Sequence, residues 1–359
     1  MQAGIAVKEG ILRCNAQAEV VLKPIADGGE GTTNAIIDGV GGKKIRLSVT
    51  DPMGNPVVAY YGIMPDGKTA IMEMAEASGL TLVPKDRKDP YSATTLGVGE
   101  MISDALLRGV TEIIMGIGGS ATNDGGTGML QALGYQFLDK SGKVLGTGAK
   151  ILGSIDKIDF SGKNQKLMDC SFKVACDVTN PLYGYNGATY VFGKQKGVLD
   201  SQVKELDENM KHFAKVSAEQ LKADASKVPG AGAAGGLGFA LKAYLNAELL
   251  PGVDLILDAI GIEQDIKDAD IVVTGEGHLD SQTIMGKAPI GVAKLAKKYG
   301  KKVIAFAGAV SKEARMCNEY GIDAYFPILR EVTTLGEAID TETAANNLSD
   351  TAEQVFRLL

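Results

Sequence analysis

The sequence has no tryptophan, two histidines and four cysteines in 359 residues, and aromatic residues make up only 6%. Cys14, Cys170, Cys176 and Cys317 form no C-x-x-C pair, and only two histidines accompany them. A zinc-type site is therefore not expected, and the thiols read as reduced, small buried hydrophobes of a cytosolic protein. No apolar run approaches the roughly 20 residues that cross a bilayer. Residues 1–14 carry no signal-peptide pattern, so a cytoplasmic protein with no membrane partner is expected. Positive charge is also short: 37 lysines and arginines stand against 44 acids, a formal charge of -7. With no basic stripe interleaved with aromatics, nucleic acid is not an expected partner. Overall acidity does not prevent local phosphate binding, which can rest on backbone amides at a helix start.

Glycine is abundant, at 46 residues. The glycines have no period, so collagen-like and low-complexity readings fail. They cluster between apolar runs, where loops with unusual backbone angles or close ligand approach would need them. The length exceeds one typical core and suffices for two.

Periodicity predicts an amphipathic helix over 3–14 and a strand over 18–25 that ends at Asp27. Residues 43–74 are β-like, with a Pro-Asp-Gly turn at 65–67. Helices are predicted at 91–108, 128–133, 201–223 and 235–246, and strands at 112–115, 135–138 and 172–176. In the last third, strands at 269–274, 302–307 and 324–328 alternate with helices at 289–299, 313–319 and 341–358. That alternation indicates a parallel sheet covered on both faces. The expected fold class is α/β with two α/β domains. One is a Rossmann-like parallel-sheet domain built from both chain ends, residues 1–42 and 248–359. The other is an inserted mixed α/β domain, residues 43–247. A doubly wound domain ordinarily starts with a strand, and this chain starts with a helix, so a first strand is expected to be missing.

Five segments place glycine, small hydroxyls and carboxylates where predicted strands end, the place where open α/β sheets bind ligands. Asp27-Gly28-Gly29-Glu30-Gly31-Thr32 is an acidic turn that either caps a helix or holds Mg2+ and a hydroxyl. Residues 116–126 (GIGGSATNDGG) offer successive small-residue amides for an anion nest, with the Ser120 and Thr122 hydroxyls beside them. Asp177 sits in CDVTNPL (176–182), as an Asx-type turn or as a site acid. Residues 230–238 (GAGAAGGLG) could admit a phosphate or let two elements pack closely. The last segment, Thr274 to Lys287, gathers two carboxylates, hydroxyls and a lysine within fourteen residues, as phosphoryl transfer requires. Gly116, Gly118 and Ala121, with Asp139 further on, also match a dinucleotide-binding G-x-G-x-x-A pattern. Residues 122–126, however, prolong that loop where the dinucleotide fold needs a helix. No G-x-x-x-x-G-K-[ST] is present.

Six stretches, in order, resemble the bacterial glycerate kinase family: PIADGGEGT (24–32), GIGGSATNDGG (116–126), ACDVTNPL (175–182), VFGKQKG (191–197), GAAGGLG (232–238) and TGEGHLDSQTIMGKAP (274–289). The resemblance runs from about residue 3 to the C-terminus. It implies a two-domain α/β fold with the active site in the cleft between domains. It also implies transfer of the γ-phosphoryl of ATP, with Mg2+, to a hydroxyl of D-glycerate, giving 2-phosphoglycerate in organic-acid catabolism. Family members open with a strand and a loop like I-A-P-D-S-F-K, which this sequence lacks, so a truncated or mis-started chain is expected. On the matching positions, Gly118, Gly119, Ser120 and Thr122 are candidates for the phosphates, and Asp27, Glu30 and Asp124 for Mg2+. Asp280 is the first candidate for the acceptor base and Asp177 the second, while Lys287 would stabilise the transferring phosphoryl or the substrate carboxylate. Gly28, Gly29, Thr32, Asn123, Gly275, Glu276, Gly277, Gln282 and Thr283 complete the candidate binding set. The expected partners are glycerate and ATP, and a homodimer is left open. The rival readings are an NAD-dependent oxidoreductase and a catalytically inactive truncated binding protein.

Overall fold

The computed structural model describes residues 2–25 and 31–359, apart from the side chain of Met285. The chain is an α/β protein that divides into two compact units, residues 28–255 and residues 1–27 with 256–359. Helix α1 (Gln2–Cys14) opens the smaller unit.

The larger unit begins with α2 (Thr32–Val40) and the antiparallel strands β1 (Lys43–Thr50), β2 (Pro56–Ile63) and β3 (Thr69–Glu73). The turn expected at 65–67 joins β2 to β3, with the Lys68 and Thr69 amides donating to Asp66. There follow α3 (Ala75–Ser78), α4 (Leu96–Leu107), β4 (Glu112–Gly116), α5 (Thr127–Ala132), β5 (Gln136–Leu138), β6 (Lys157–Asp159) and β7 (Ser171–Ala175). Helices α6 (Ala188–Phe192), α7 (Val203–Leu221) and α8 (Leu237–Leu245), then β8 (Glu248–Leu250), complete it, and α9 (Gly252–Ala259) crosses its boundary. The main sheet runs β1-β2-β3-β4-β7-β8 and changes from antiparallel to parallel at β3. Strand β4 lies inside the sheet, and Ile113, Ile114 and Met115 are all buried, as a strand covered on both faces requires. Tyr61, Met72, Met101, Phe137, Phe213 and Phe239 fill the core around it.

The smaller unit continues with α10 (Ile262–Asp268), β9 (Ile271–Leu279), α11 (Ala288–Lys298), β10 (Lys302–Val310), β11 (Ala324–Pro327), α12 (Leu335–Ala338) and α13 (Thr341–Phe356). Its three strands are parallel in the order β11-β10-β9. Ala6 of α1 packs with Ile304, Phe306, Leu348, Ala352 and Val355. Gly10 is what lets α1 lie against α13: a Cβ there would stand 2.1 Å from the Ser349 carbonyl oxygen. No helix among the described residues is long and apolar enough to cross a membrane.

Three expectations are corrected. Residues 18–25 are not a strand: no described strand runs beside them to form a ladder, and Pro24 has no N–H to give. Strand β9 does not stop at Thr274 but runs to Leu279, with Glu276 paired to Ala307 and His278 to Ala309. The glycines of TGEG are tolerated there because the parallel ladder to β10 fixes their backbone. Residues 312–320 form a 3₁₀ rather than an α-helix.

Candidate active site

The glycine-rich run after β4 has an exposed lip and a buried interior. Gly118 and Gly119 are exposed, whereas residues 120–130 are all buried. The lip is tied down from below: Leu80 N donates to Gly119 O (2.8 Å) and Ala121 N to Ser78 O (2.9 Å). Among the described residues no acceptor takes the amides of Gly118, Gly119 or Ser120. Three successive open N–H groups at a strand's carboxyl end are a nest for an anion. Gly118 has an ordinary φ, and an added Cβ would meet nothing within 4 Å. Neither backbone conformation nor packing demands glycine there, which leaves room for a group that approaches the chain closely.

The interior holds the loop's shape. Ser120 Oγ accepts from Thr122 N (3.2 Å) and lies 3.3 Å from the Thr122 hydroxyl. The Thr122 side chain is fully buried and faces the loop, not solvent. Asn123, also fully buried, donates from Nδ2 to Thr189 Oγ1 (3.0 Å), and its Oδ1 has no partner among the described residues. Asp124 accepts from Thr95 N, Thr95 Oγ1, Gly126 N and Gly128 N at 2.9–3.2 Å. It thereby ties the start of α4 to the start of α5. Burial pushes its carboxyl up, against the pull of those donors. Four donors on an enclosed carboxylate leave no position for a metal, so Asp124 does not fit the Mg2+ role. Among the described residues no group of three or more His, Cys, Asp or Glu could hold a metal ion.

The second glycine cluster is used for packing. Gly125 N donates to Gly235 O (3.0 Å). A Cβ on Gly235, at φ +65°, would stand 2.0 Å from Thr122 O. Residues 230–238 therefore brace the loop 122–125 by direct backbone contact and leave no space for a phosphate at that glycine.

Asp27, Gly28, Gly29 and Glu30 lie outside the described residues. Thr32, buried, starts α2. Glu73, at the end of β3, supplies the carboxylate for that helix start, accepting from Gly31 N (2.9 Å) and Thr33 N (2.7 Å). Sequence reading missed Glu73, which looks like any acid ending a strand. Asp177 is exposed and accepts Gly252 N (2.9 Å), the first residue of α9.

In the smaller unit the end of β9 brings together most of the segment read from the sequence. Glu276 accepts the Thr283 hydroxyl and lies 3.6 Å from Lys287 Nζ. Asp280 Oδ1 accepts Gln282 N (2.8 Å) and Thr283 N (3.2 Å), while Oδ2 has no partner among the described residues. The Gln282 N–H and the charges of Lys287 and His278 hold the Asp280 carboxyl below its ordinary value, so it is ionised near neutrality. Gly275 packs its backbone against Phe306 O, whereas Gly277 faces open space. The Gln282 side chain is exposed. This is a solvent-facing set of one free carboxylate oxygen, one ammonium and one carboxylate–hydroxyl pair.

One further residue belongs to the nest. Lys196, in the 3₁₀ turn Lys194–Lys196 after α6, is 2% exposed and donates to Ser120 Oγ (3.0 Å) and Thr122 O (2.6 Å). Sequence reading assigned it no role. The one available signal was its place between Gly193 and Gly197 in VFGKQKG, and nothing there separates buried Lys196 from exposed Lys194.

The dinucleotide pattern loses its context. β5, which ends beside Asp139, pairs antiparallel with β6 in a separate two-stranded sheet and does not lie next to β4. Asp139 instead closes a local turn by accepting Ser141 N, Ser141 Oγ and Lys143 N.

The chain is a two-unit α/β protein with a row of open amides after β4 and an acid–lysine set at the end of β9. The profile of the Glycerate kinase family matches residues 1–359, and the chain belongs to that family. It is 49% identical to a glycerate 2-kinase of Escherichia coli K12 over 93% of this chain and 87% of the relative. It is 46% identical to a glycerate kinase of Bacillus subtilis 168 over 99% and 92%. A solved structure from Salmonella typhimurium LT2, assigned as glycerate kinase 2, superposes with a TM-score of 0.90 at 43% identity, covering 99% of this chain and 92% of that one.

Proposed function

We propose that this chain is a cytoplasmic kinase that transfers the γ-phosphoryl of Mg-ATP to the 2-hydroxyl of D-glycerate, giving 2-phosphoglycerate and ADP in organic-acid catabolism. The observation that carries this reading is the row of open amides at Gly118, Gly119 and Ser120, ending a parallel strand. Support comes from the relatives' names, and the E. coli protein's name supports the 2-hydroxyl as acceptor.

Phosphoryl transfer asks a protein for alignment and charge neutralisation more than for covalent chemistry. The nest amides would hold the phosphate oxygens. Asp280 would orient the acceptor hydroxyl through Oδ2 and take its proton as the bond to phosphorus forms, with Asp177 the second candidate base. Lys287, kept in place by Glu276, would neutralise the substrate carboxylate or the moving phosphoryl. Thr283, Gly275, Gly277 and Gln282 shape that side. Asn123 lies beneath the nest, and Gly28, Gly29 and Thr32 would complete the phosphate side. Magnesium enters as part of the nucleotide substrate, and Asp27 and Glu30 are the acids assigned to it.

Purified protein with Mg-ATP and D-glycerate should release ADP, and phosphorus NMR should show 2-phosphoglycerate. A glycerate-dependent reduction of NAD without ADP release would overturn the reading in favour of an oxidoreductase. Binding of ATP or glycerate with no turnover would overturn it in favour of a binding protein.

A further inference from the structure

The proposed reaction leaves one interior cation unused. Lys196 is 2% exposed, and among the described residues no carboxylate lies within ion-pair distance of its amine. Taking an ammonium out of water costs several kcal/mol unless something offsets it. Here it has two neutral oxygens, Ser120 Oγ at 3.0 Å and Thr122 O at 2.6 Å, both in the loop whose preceding amides are open. Through those two bonds it clamps the loop at 120 and 122, on the interior side of the turn that exposes Gly118 and Gly119. The Ser120 hydroxyl, already accepting Thr122 N, is thereby held inward.

We propose that Lys196 is a positioning residue for the phosphate site: from inside the protein its ammonium clamps Ser120 to Thr122, holding the Gly118–Ser120 amides open and adding positive potential behind them. The ligand class is a polyphosphate such as that of ATP, and the inference rests on the kinase reading above. The amine is balanced between its charged and neutral forms near neutrality. Burial pushes it down to about 7, and the nearby Asp124 carboxylate opposes that fall. A bound polyphosphate would favour the charged form further.

The test is Lys196→Met, which keeps the length of the side chain and removes charge and donors. The expected result is a KM for ATP raised at least tenfold, with the KM for D-glycerate changed less than twofold and a cooperative melting transition retained. Lys196→Gln is the second variant, able to donate to one of the two oxygens without charge, and should lie between Met and the parent. A structural residue alone would lower the active fraction and leave both KM values in place. Unchanged KM for ATP in whichever variant folds would overturn the inference while leaving the kinase reading intact. Should the parent show no turnover, calorimetric titration with ATP and with inorganic pyrophosphate still reads the clamp. Equal affinities for parent and variant would then sink it independently of the reaction.

Discussion

Residues 116–126 and 274–287 are written in the same vocabulary of glycine, hydroxyl and carboxylate, and each follows an apolar strand. The first turns nearly all of it inward. Beyond Gly119 every residue of the run is buried, and Asp124 spends both oxygens on four donors that fix the starts of α4 and α5. The second turns it outward: Asp280 keeps an oxygen without a partner among the described residues, and Lys287 stays partly in solvent. An acid near a glycine loop is therefore part of the scaffold when its oxygens are filled by amides, and available for chemistry when they are not.

The sharpest way to break this contrast is to remove the same charge from both places. Asp280→Asn is expected to lower kcat by about 10²–10⁴-fold, the usual worth of a general base, with no change in melting temperature. Asp124→Asn should do the reverse. It sets an amide NH₂ against N–H donors in the interior, so stability should fall by about 2–5 kcal/mol. Turnover per folded molecule would then stay within a few-fold of the parent. Chemical denaturation and active-site titration separate the two effects. An Asp124→Asn protein of parental stability without activity would place Asp124 in the chemistry after all.

Much of the fold was legible. β-Branched runs such as Ile271–Val273 and Val303–Ile304 mark the parallel strands, and the Pro-Asp-Gly at 65–67 marks its turn. Residues 18–25 misled because AEVVLKPI has a strand's composition, and composition says nothing about a neighbour to bond with. The end of β9 misled in the opposite direction. Gly275 and Gly277 read as a loop, yet the ladder to β10 carries them, because pairing overrides local preference. Of the candidate site, the segments were legible and the direction of each side chain was not. Thr122, Asn123 and Asp124 face inward for reasons set by Thr95, Thr189 and Gly235, all remote in sequence. Glu73 and Lys196 gave no local signal, since a buried charge is recognised only by what surrounds it.

Glycines give a second, smaller test of inside against outside. Gly235→Ala places a Cβ 2.0 Å from Thr122 O in a left-handed conformation, and should cost about 2–4 kcal/mol. Gly118→Ala meets no atom and needs no unusual φ, so stability should move by less than about 0.5 kcal/mol. Its effect should fall on function instead, as a several-fold rise in the KM for ATP. Parallel melting curves and ATP titrations would sink the division if Gly118→Ala destabilised the protein as much as Gly235→Ala.

The smallest effect concerns pH, and it tests whether the buried side of the loop carries a real charge. Lys196 is held down to about 7 in the folded protein by burial, with Asp124 opposing, whereas an unfolded lysine keeps its proton to about 10.4. Above pH 7 the unfolded chain therefore binds more protons than the native one, and stability rises with pH across that window. Between pH 7 and 8 the gain should be about 1 kcal/mol, from 1.36 kcal/mol per pH unit weighted by the fraction of native Lys196 that has lost its proton. Staying below pH 8 keeps most thiols out of the measurement. Cys176 is pushed up by burial and would act with the opposite sign at higher pH. Comparison with Lys196→Met isolates the contribution, since groups common to both proteins cancel. Parent curves that rise with pH while the variant's stay flat would show that the buried amine is protonated near neutrality and gives up its proton within this window. Identical slopes in the two proteins would mean that Lys196 stays fully protonated to pH 8 in the folded protein, and the lowering of its proton affinity by burial would have to be abandoned.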